Sequence, residues 1–505
     1  MSRALRRHAA GLAALAAAIA ALYGRVLGFD FVQYDDHELL VLHYGDLVKN
    51  PASVFWRDTF AVLGPEARGA YYRPLLVATY GLEARVAGPR PALFHATNVG
   101  LHWVATCFAY ALFVAFGAGR ALATGLALIF ACHPASALVA AWVPCQNESM
   151  LATACIGSTL ALVAWLRSGR PAALAWCVAA YTAALFTKES GVALLPVLAI
   201  VLSFERTGRQ GEARAVARAR YAALAATLVW AALRHYALGG SPTGVRMASA
   251  NLWELPVYLG KALLPIGLAL VPDPADTPRW PGALAAAVLA LAIAAARKQL
   301  RGPAGLGLVW CLAFLLPSLA VPQKTWGLEH RIYLPLAGLL LFASQLAAPA
   351  RLRAPAWLGT ALAFGVAILF AGLTARRLPD FAGPIPYWES AARTAPHSAF
   401  AASRVAWRYY EAGRFAEVPA AATRALALDD APADMYLARG IAYAKRGDLA
   451  RAEPDLRRAI ELEPANAEAW SNLAYLQRRL GREEESRASQ QRAAEIEARN
   501  RANAR

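Results

Sequence analysis

Charged residues are scarce in this chain. Only 17% of its 505 residues are Asp, Glu, Lys or Arg, whereas 58% are hydrophobic, and the mean hydropathy is +0.36. Soluble globular domains carry about 25% charged residues. The shortage argues against an ordinary soluble protein, and it predicts a chain that lies largely within a membrane.

Cysteine frameworks and common catalytic motifs are lacking as well. The six cysteines form no CxxC pair and mostly fall inside apolar runs, where a packing role is favoured. No HExxH, P-loop or GxSxG sequence is present. These absences argue against a disulfide-stapled fold, a zinc protease of the HExxH type, a P-loop nucleotidase and an α/β hydrolase.

Acidic residues are fewer than basic ones. The chain has 34 Asp and Glu against 51 Lys and Arg, which gives a net charge of +17. The arginines cluster between apolar runs, at 167–170, 206–220, 297–301 and 351–353. This distribution is the positive-inside pattern of membrane proteins, not a stripe that follows a nucleic-acid backbone. We therefore expect no nucleic-acid partner.

Apolar runs of the length needed to cross a ~30 Å hydrocarbon core recur from Gly11 to Phe370. With the N-terminus in the cytoplasm, eleven spans place every arginine cluster inside. The first run lacks a clear cleavage site, and we interpret it as a retained span. The predicted spans are 9–28, 93–116, 119–133, 148–166, 172–187, 190–204, 221–238, 281–296, 304–320, 332–348 and 355–374.

The apolar stretch 251–271 does not fit a full crossing. It contains Glu254 and Lys261 among its prolines, and a crossing there would move the 297–301 arginines to the outside. Broken backbone is tolerated at a membrane where protein or water satisfies it. We therefore predict a re-entrant or interfacial segment, with a first external loop at 29–92.

The C-terminal part follows a 34-residue period. Gly413, Gly447 and Gly481 recur at that spacing, and the stretch 433–464 resembles a tetratricopeptide repeat. We predict an all-α protein, a polytopic membrane helix bundle followed by a repeat solenoid. The predicted domains are a membrane domain at 1–378, a linker at 379–398, three repeats at 399–500 and a tail at 501–505.

Polar side chains collect on the predicted external face. Carboxylates there can accept a proton from an attacking hydroxyl, and cations can stabilise a departing phosphate. This is the chemistry of sugar transfer from a polyprenyl phosphate. The residues are Asp35, Asp36, Arg73, His133, Asn147, Glu148, Lys188, Glu189, Glu329, His330 and Arg331.

Six stretches in order carry a resemblance to a known family. They are YDD at 34–36, YYRPLL at 71–76, LFHATNVGLH at 93–102, CHPASALVAAWV at 132–143, TKESGVALLP at 187–196 and EHRIYLPLAG at 329–338. Together they resemble the GT-C superfamily of membrane glycosyltransferases. With the repeat tail, the chain most resembles the transmembrane-and-tetratricopeptide-repeat O-mannosyltransferases and their bacterial relatives.

The resemblance implies an inverting enzyme that moves a mannose-like hexose from a polyprenyl-phosphate carrier to an acceptor hydroxyl, such as a protein Ser or Thr, on the extracytoplasmic face. It implies a base in the first external loop, which maps onto Asp35 or Asp36. We assign the donor phosphate to Arg331, His330, Lys188 and Arg73. Supporting roles are open to His133, Glu148, Glu189, Glu329 and His102. The sequence departs from the family after Trp142, where Cys145-Gln146-Asn147-Glu148 replaces Gly-Arg-x-Asp.

Several alternatives stay open from sequence alone. Asp35 and Asp36 could be solvated residues at a helix end, and His95, Asn98 and His102 share a helical face that suits hydrogen bonds between helices. No cofactor is firmly implied, although the external carboxylates leave room for a divalent metal. The Ala- and Arg-rich composition suggests a bacterial inner membrane. The rival functions are a non-catalytic membrane scaffold that recruits envelope proteins through the repeats, and a transporter.

Overall fold

The structure is a computed structural model. It describes residues 3–42, 44–49, 51–60, 71–204, 212–239, 252–319, 327–346, 355, 357–428 and 433–503. Part of the predicted first external loop (61–70), the beginning of the arginine-rich stretch (205–211) and Arg351 with Arg353 therefore lie outside the described residues. The chain divides into two compact units, one of residues 1–268 and 278–383, and one of residues 269–277 and 384–505.

The first unit is built from helices, and the described residues contain no β-strand. Its α-helices are α1 Arg3–Tyr23, α2 Tyr44–Lys49, α3 Pro74–Ala87, α4 Pro91–Ala115, α5 Arg120–Cys132, α6 Ser136–Ala141, α7 Gln146–Ser168, α8 Pro171–Thr187, α9 Leu194–Phe204, α10 Glu212–Ala237, α11 Glu254–Leu263, α12 Trp280–Ala295, α13 Pro303–Leu319, α14 Tyr333–Leu346 and α15 Leu358–Arg377. The predicted all-α fold class is confirmed.

A helix lies at each of the eleven predicted spans. Five described helices are long and apolar enough to cross a bilayer on their own, and the others are shorter. The five are Arg7–Gly28, Pro91–Ala115, Val143–Ser168, Ala213–Ala237 and Leu358–Phe381. The chain is a multi-pass membrane protein, and the number of crossings stays a prediction.

Small residues allow close helix contacts within this unit. A Cβ added at Gly307 of α13 would lie 2.5 Å from the Gly338 carbonyl oxygen of α14, and one at Gly260 of α11 would lie 2.7 Å from the Gly282 nitrogen of α12. Such close approach is how membrane helices gain packing contacts, since lipid supplies no hydrophobic drive for their association. Only ten residues of the segment 251–271 form a helix, α11, which is too short to cross a bilayer.

The second unit contains α16 Pro384–Thr394, α17 Ala399–Glu411, α18 Val418–Leu428, α19 Ala433–Lys445, α20 Leu449–Leu462, α21 Ala467–Arg479 and α22 Glu483–Asn503. The last six pair as three helical hairpins, as the 34-residue period predicts. Gly413, Gly447 and Gly481 have φ of 69°, 82° and 78°, the left-handed backbone that favours glycine after a helix end. The predicted linker contains α16, so its residues 384–394 are helical.

Candidate functional site

Glu189 holds the start of α3 in place. Its Oε1 accepts the backbone N–H of Tyr72 at 2.9 Å, and its Oε2 lies 3.2 Å from Arg73 Nε. Pro74 then opens the helix, where its missing N–H costs nothing. Thr59 Oγ1 also accepts the Arg73 backbone N–H at 3.1 Å. The YYRP stretch therefore presents a fixed, half-buried guanidinium beside the residues that follow α8.

Glu148 joins two cationic stretches of the chain. It lies in the first turn of α7, with its side chain only 4% exposed, and it forms an ion pair with Lys188, which ends α8. His330 Nε2 lies 3.9 Å from the same Glu148 Oε1. Removing one partner from a buried pair leaves an uncompensated charge, so these three side chains constrain each other.

Arg331 is a cation of the same region. No carboxylate among the described residues lies within ion-pair distance of it. Its Nη1 donates a hydrogen bond to the Ser318 carbonyl oxygen at 3.0 Å, and this bond uses only part of the guanidinium's donors. Arg73 and Arg331 both repel the Lys188 ammonium electrostatically, so the three cations share one neighbourhood. We call Arg73, Glu148, Lys188, Glu189, His330 and Arg331 the outer cluster.

Burial and neighbouring cations set the protonation states at the outer cluster. Burial, followed by the positive charges of Lys188, Arg331 and Arg73, holds the pKa of His330 well below its ordinary value. Burial also lowers the pKa of Lys188, with Glu148 acting in the opposite direction. His330 is therefore neutral at pH 7, and its buried Nδ1 has no hydrogen-bond partner among the described residues. A neutral imidazole can offer either a donor or an acceptor to a ligand.

The two aspartates of the first external loop differ sharply. Asp36 is 1% exposed, and its oxygens accept the backbone N–H groups of Val32 at 2.8 Å and Tyr34 at 2.9 Å. Asp35 is half-buried, and its charge acts on the Cys145 thiol together with the charges of Glu148, Lys188 and Arg73. Asp36 therefore closes its own loop, whereas the charge of Asp35 acts on the same thiol as charges of the outer cluster.

A second group of charged side chains orients the turn that carries His330 and Arg331. Glu329 is 1% exposed and pairs with Arg377 at the end of α15, through contacts of 2.5 and 2.8 Å. Lys261 of α11 is 2% exposed, and its Nζ donates to the Gly327 carbonyl at 2.7 Å. The turn is thus held from two sides, by α11 and by α15.

Two predicted histidines lie apart from the outer cluster. His102 is fully buried, with Nδ1 2.7 Å from the Tyr333 hydroxyl and Nε2 3.1 Å from the Ala131 carbonyl oxygen. His133 is buried after α5, and its Nδ1 accepts the Ala135 backbone N–H at 3.1 Å. Both rings make hydrogen bonds within the bundle, which for His102 is the alternative that the sequence left open.

Three further charged side chains were not among the predicted site residues. Arg377 is the partner of Glu329, and the sequence signal for it is the glutamate directly before a predicted span, because a buried carboxylate needs a cationic partner. Lys261 was recognised only as an obstacle to a crossing. Glu83 of α3 is 5% exposed and accepts a hydrogen bond from Gln146 Nε2 at 2.9 Å. Burial raises the pKa of Glu83 to about 7, against the effect of its hydrogen bonds to Thr97 and Gln146.

Within the ranges that the structure describes, no group of three or more His, Cys, Asp or Glu side chains is arranged to hold a metal ion. The outer cluster instead mixes carboxylates with cations. This arrangement suits a phosphate next to a proton acceptor, because the cations can bind phosphate oxygens that metal ligands would repel.

Family models identify the repeats. Two models described as tetratricopeptide repeat match residues 433–466 and 456–488. These matches cover the second helical hairpin, α21 and the start of α22, and they agree with the glycine turns and the 34-residue period. The C-terminal helices are tetratricopeptide repeats.

A comparison with curated proteins finds a relative that matches a longer part of the chain. The chain is 29% identical over 219 residues to protein O-mannosyl-transferase TMTC1 of Mus musculus. The chain resembles the transmembrane-and-tetratricopeptide-repeat O-mannosyltransferases. The match covers 40% of this chain and 23% of that relative, so the chain spans about a quarter of the relative's length in the match.

Proposed function

We propose that this O-mannosyltransferase-like protein transfers a hexose from a polyprenyl-phosphate carrier to an acceptor hydroxyl, with inversion at the anomeric carbon. The observation that carries the proposal is the outer cluster. Side chains from before α3, the start of α7, the residue after α8 and the turn before α14 share one neighbourhood rich in charge. Buried charges of this kind are costly in a membrane protein, and they mark functional sites.

Asp35 acts as the general base in this proposal. Its carboxylate takes the proton from the acceptor hydroxyl while that oxygen attacks the anomeric carbon. The bond between this carbon and the phosphate oxygen breaks, and its electron pair leaves with the polyprenyl phosphate. Asp36 is unsuited to the same role, because its oxygens already accept two backbone N–H groups.

Arg331 and His330 bind the carrier phosphate in this proposal. Arg331 has no described ion-pair partner, and His330 has a buried nitrogen that is free of described partners. Lys188 and Arg73 are held by Glu148 and Glu189, so they add positive potential without needing to move. Cations arranged in advance stabilise the charge that develops on a leaving phosphate.

We place the outer cluster and the repeats on the extracytoplasmic side of a bacterial inner membrane, following the arginine distribution. The tetratricopeptide repeats would hold the acceptor protein or a partner that delivers it. A protein Ser or Thr is the acceptor that the resemblance favours. The membrane keeps the prenyl tail, so that only the phosphate and sugar need to reach Asp35.

Donor binding tests the proposal against the rival scaffold function. Detergent-solubilised protein should bind radiolabelled polyprenyl-phosphate mannose, and unlabelled polyprenyl phosphate should compete. Arg331→Gln should weaken binding by about 10- to 100-fold, since a charge-assisted hydrogen bond contributes about 1.5–3 kcal/mol. The exposed Arg301→Gln variant is the matched control. A wild-type protein that binds no lipid-linked sugar would leave the membrane part as a scaffold.

A further inference from the structure

An apolar groove runs along helices of the first unit, and part of its wall is the end of α7 away from the outer cluster. Its volume is about 260 Å³, and α7, α8, α9 and α10 form its walls. Trp165 lines it near the end of α7, seventeen residues after Glu148, which corresponds to about 25 Å along a helix. Trp165 and Glu148 therefore lie near opposite ends of α7.

The groove wall on α10 is one continuous helical face. Val216, Ala219, Arg220, Ala223 and Leu224 follow the i, i+3, i+4, i+7, i+8 spacing of such a face. Four of these side chains are apolar, and Arg220 is the cation among them. Arg220 is exposed, and no described carboxylate forms an ion pair with it. The α7–α8 connection adds exposed Arg170, four residues before the groove residue Leu174.

We propose that this groove binds one acyl chain of an anionic phospholipid whose phosphate pairs with Arg220. Water is a poor occupant, because an apolar cavity stays dry. Within a bilayer an empty groove loses dispersion contacts that a lipid chain restores. A basic side chain at the edge of a groove between membrane helices favours an anionic headgroup over a zwitterionic one. The proposal does not rest on sugar transfer.

Native mass spectrometry of the full chain in detergent tests the site, with phosphatidylglycerol and phosphatidylcholine supplied in equal amounts. The wild-type protein should retain one phosphatidylglycerol preferentially. Arg220→Gln should lower that preference about fivefold, equivalent to about 1 kcal/mol for one basic side chain near the lipid surface. Arg297→Gln, which removes an exposed arginine outside the groove, should leave it unchanged. Ala223→Phe should fill the groove and remove the retained lipid.

The results separate this occupant from others. Equal effects of the Arg220 and Arg297 variants would overturn the proposal, as would full lipid retention by Ala223→Phe. Displacement of phosphatidylglycerol by lower concentrations of polyprenyl phosphate would assign the groove to the donor's prenyl tail and also overturn it. A dimer in place of the lipid-bound monomer would assign the groove to a second copy. A lower unfolding temperature of Ala223→Phe in phosphatidylcholine would mean that this variant is destabilised. The lipid preference of Arg220→Gln relative to Arg297→Gln then tests the proposal.

Discussion

Asp35 and Asp36 stand next to each other in sequence, yet the structure predicts opposite consequences of the same substitution. Asp35→Asn removes the proposed proton acceptor and keeps the shape of a half-buried side chain. General-base assistance contributes about 10²–10⁴-fold to a rate, so turnover should fall by that factor. The unfolding temperature should stay close to that of the wild type.

Asp36→Asn should reduce stability instead. The asparagine keeps one oxygen for the two backbone N–H groups that now bind at 2.8 and 2.9 Å, and its amide group is a donor that faces the other N–H. A buried hydrogen bond to a charged group is worth about 1.5–3 kcal/mol, so the loop should lose about that much. The remaining folded protein should still turn over its donor.

The assay measures both properties on the same preparation. Initial rates of radiolabelled sugar transfer in proteoliposomes give turnover. A thiol-reactive dye reports unfolding, because five of the six cysteines are buried and become accessible only when the bundle opens. If Asp36→Asn abolished turnover at an unchanged unfolding temperature while Asp35→Asn stayed active, the assignment of the two aspartates would be wrong.

Three further changes follow from individual contacts. Arg377→Met leaves a buried carboxylate without its partner and should destabilise the first unit by about 3–5 kcal/mol, measured as dye accessibility on heating. Gly447→Val should cost about 1–2 kcal/mol, because a left-handed backbone crowds a β-branched side chain, and circular dichroism of the repeats would detect the loss. Asp276, through its hydrogen bond and its charge, raises the pKa of His397. That stabilisation is complete below the ordinary histidine value of about 6.5 and is lost as pH rises through the raised value, so the unfolding temperature of the second unit should fall with pH, and His397→Gln should flatten the dependence.

Matched variants show whether these effects come from the named contacts. Arg376→Met removes a neighbouring exposed arginine and should leave the unfolding temperature unchanged. Ala450→Val adds the same side chain at an exposed helical position near the turn, and it should cost no more than about 0.7 kcal/mol. If Arg376→Met destabilised the protein as much as Arg377→Met, the role given to the Arg377–Glu329 pair would be wrong. If Gly447→Val left the stability of the repeats unchanged, the role given to the left-handed backbone would be wrong.

The fold could be predicted largely from periodicity. Apolar run length set the position of the membrane helices, and the 34-residue repeat set the three hairpins, because both depend on local spacing along the chain. The α16 helix was not predicted, because it lies between the last apolar run and the first repeat, where neither periodic pattern extends. Proline in the first turn of a helix is tolerated, and the rest of α16 packs against the repeats.

The site could be predicted only as a collection of residue types. Sequence placed Arg73, Lys188 and His330 on one membrane face, but it could not say which carboxylate each would contact. Glu329 and Arg377 lie 48 positions apart in the sequence. Only the packing of the helices brings them together, so the sequence pattern does not reveal the pair. Asp35 and Asp36 were equivalent in sequence, and the backbone N–H groups of the loop separate them.

Transfer of radiolabelled mannose from polyprenyl phosphate to protein acceptors, measured with purified protein in liposomes, tests the central claim most directly. We expect label to appear on Ser or Thr of an acceptor in the presence of the wild-type protein and to fall at least a hundredfold with Asp35→Asn. Donor lipid that binds without any transfer, under conditions where a known membrane mannosyltransferase is active, would contradict the account.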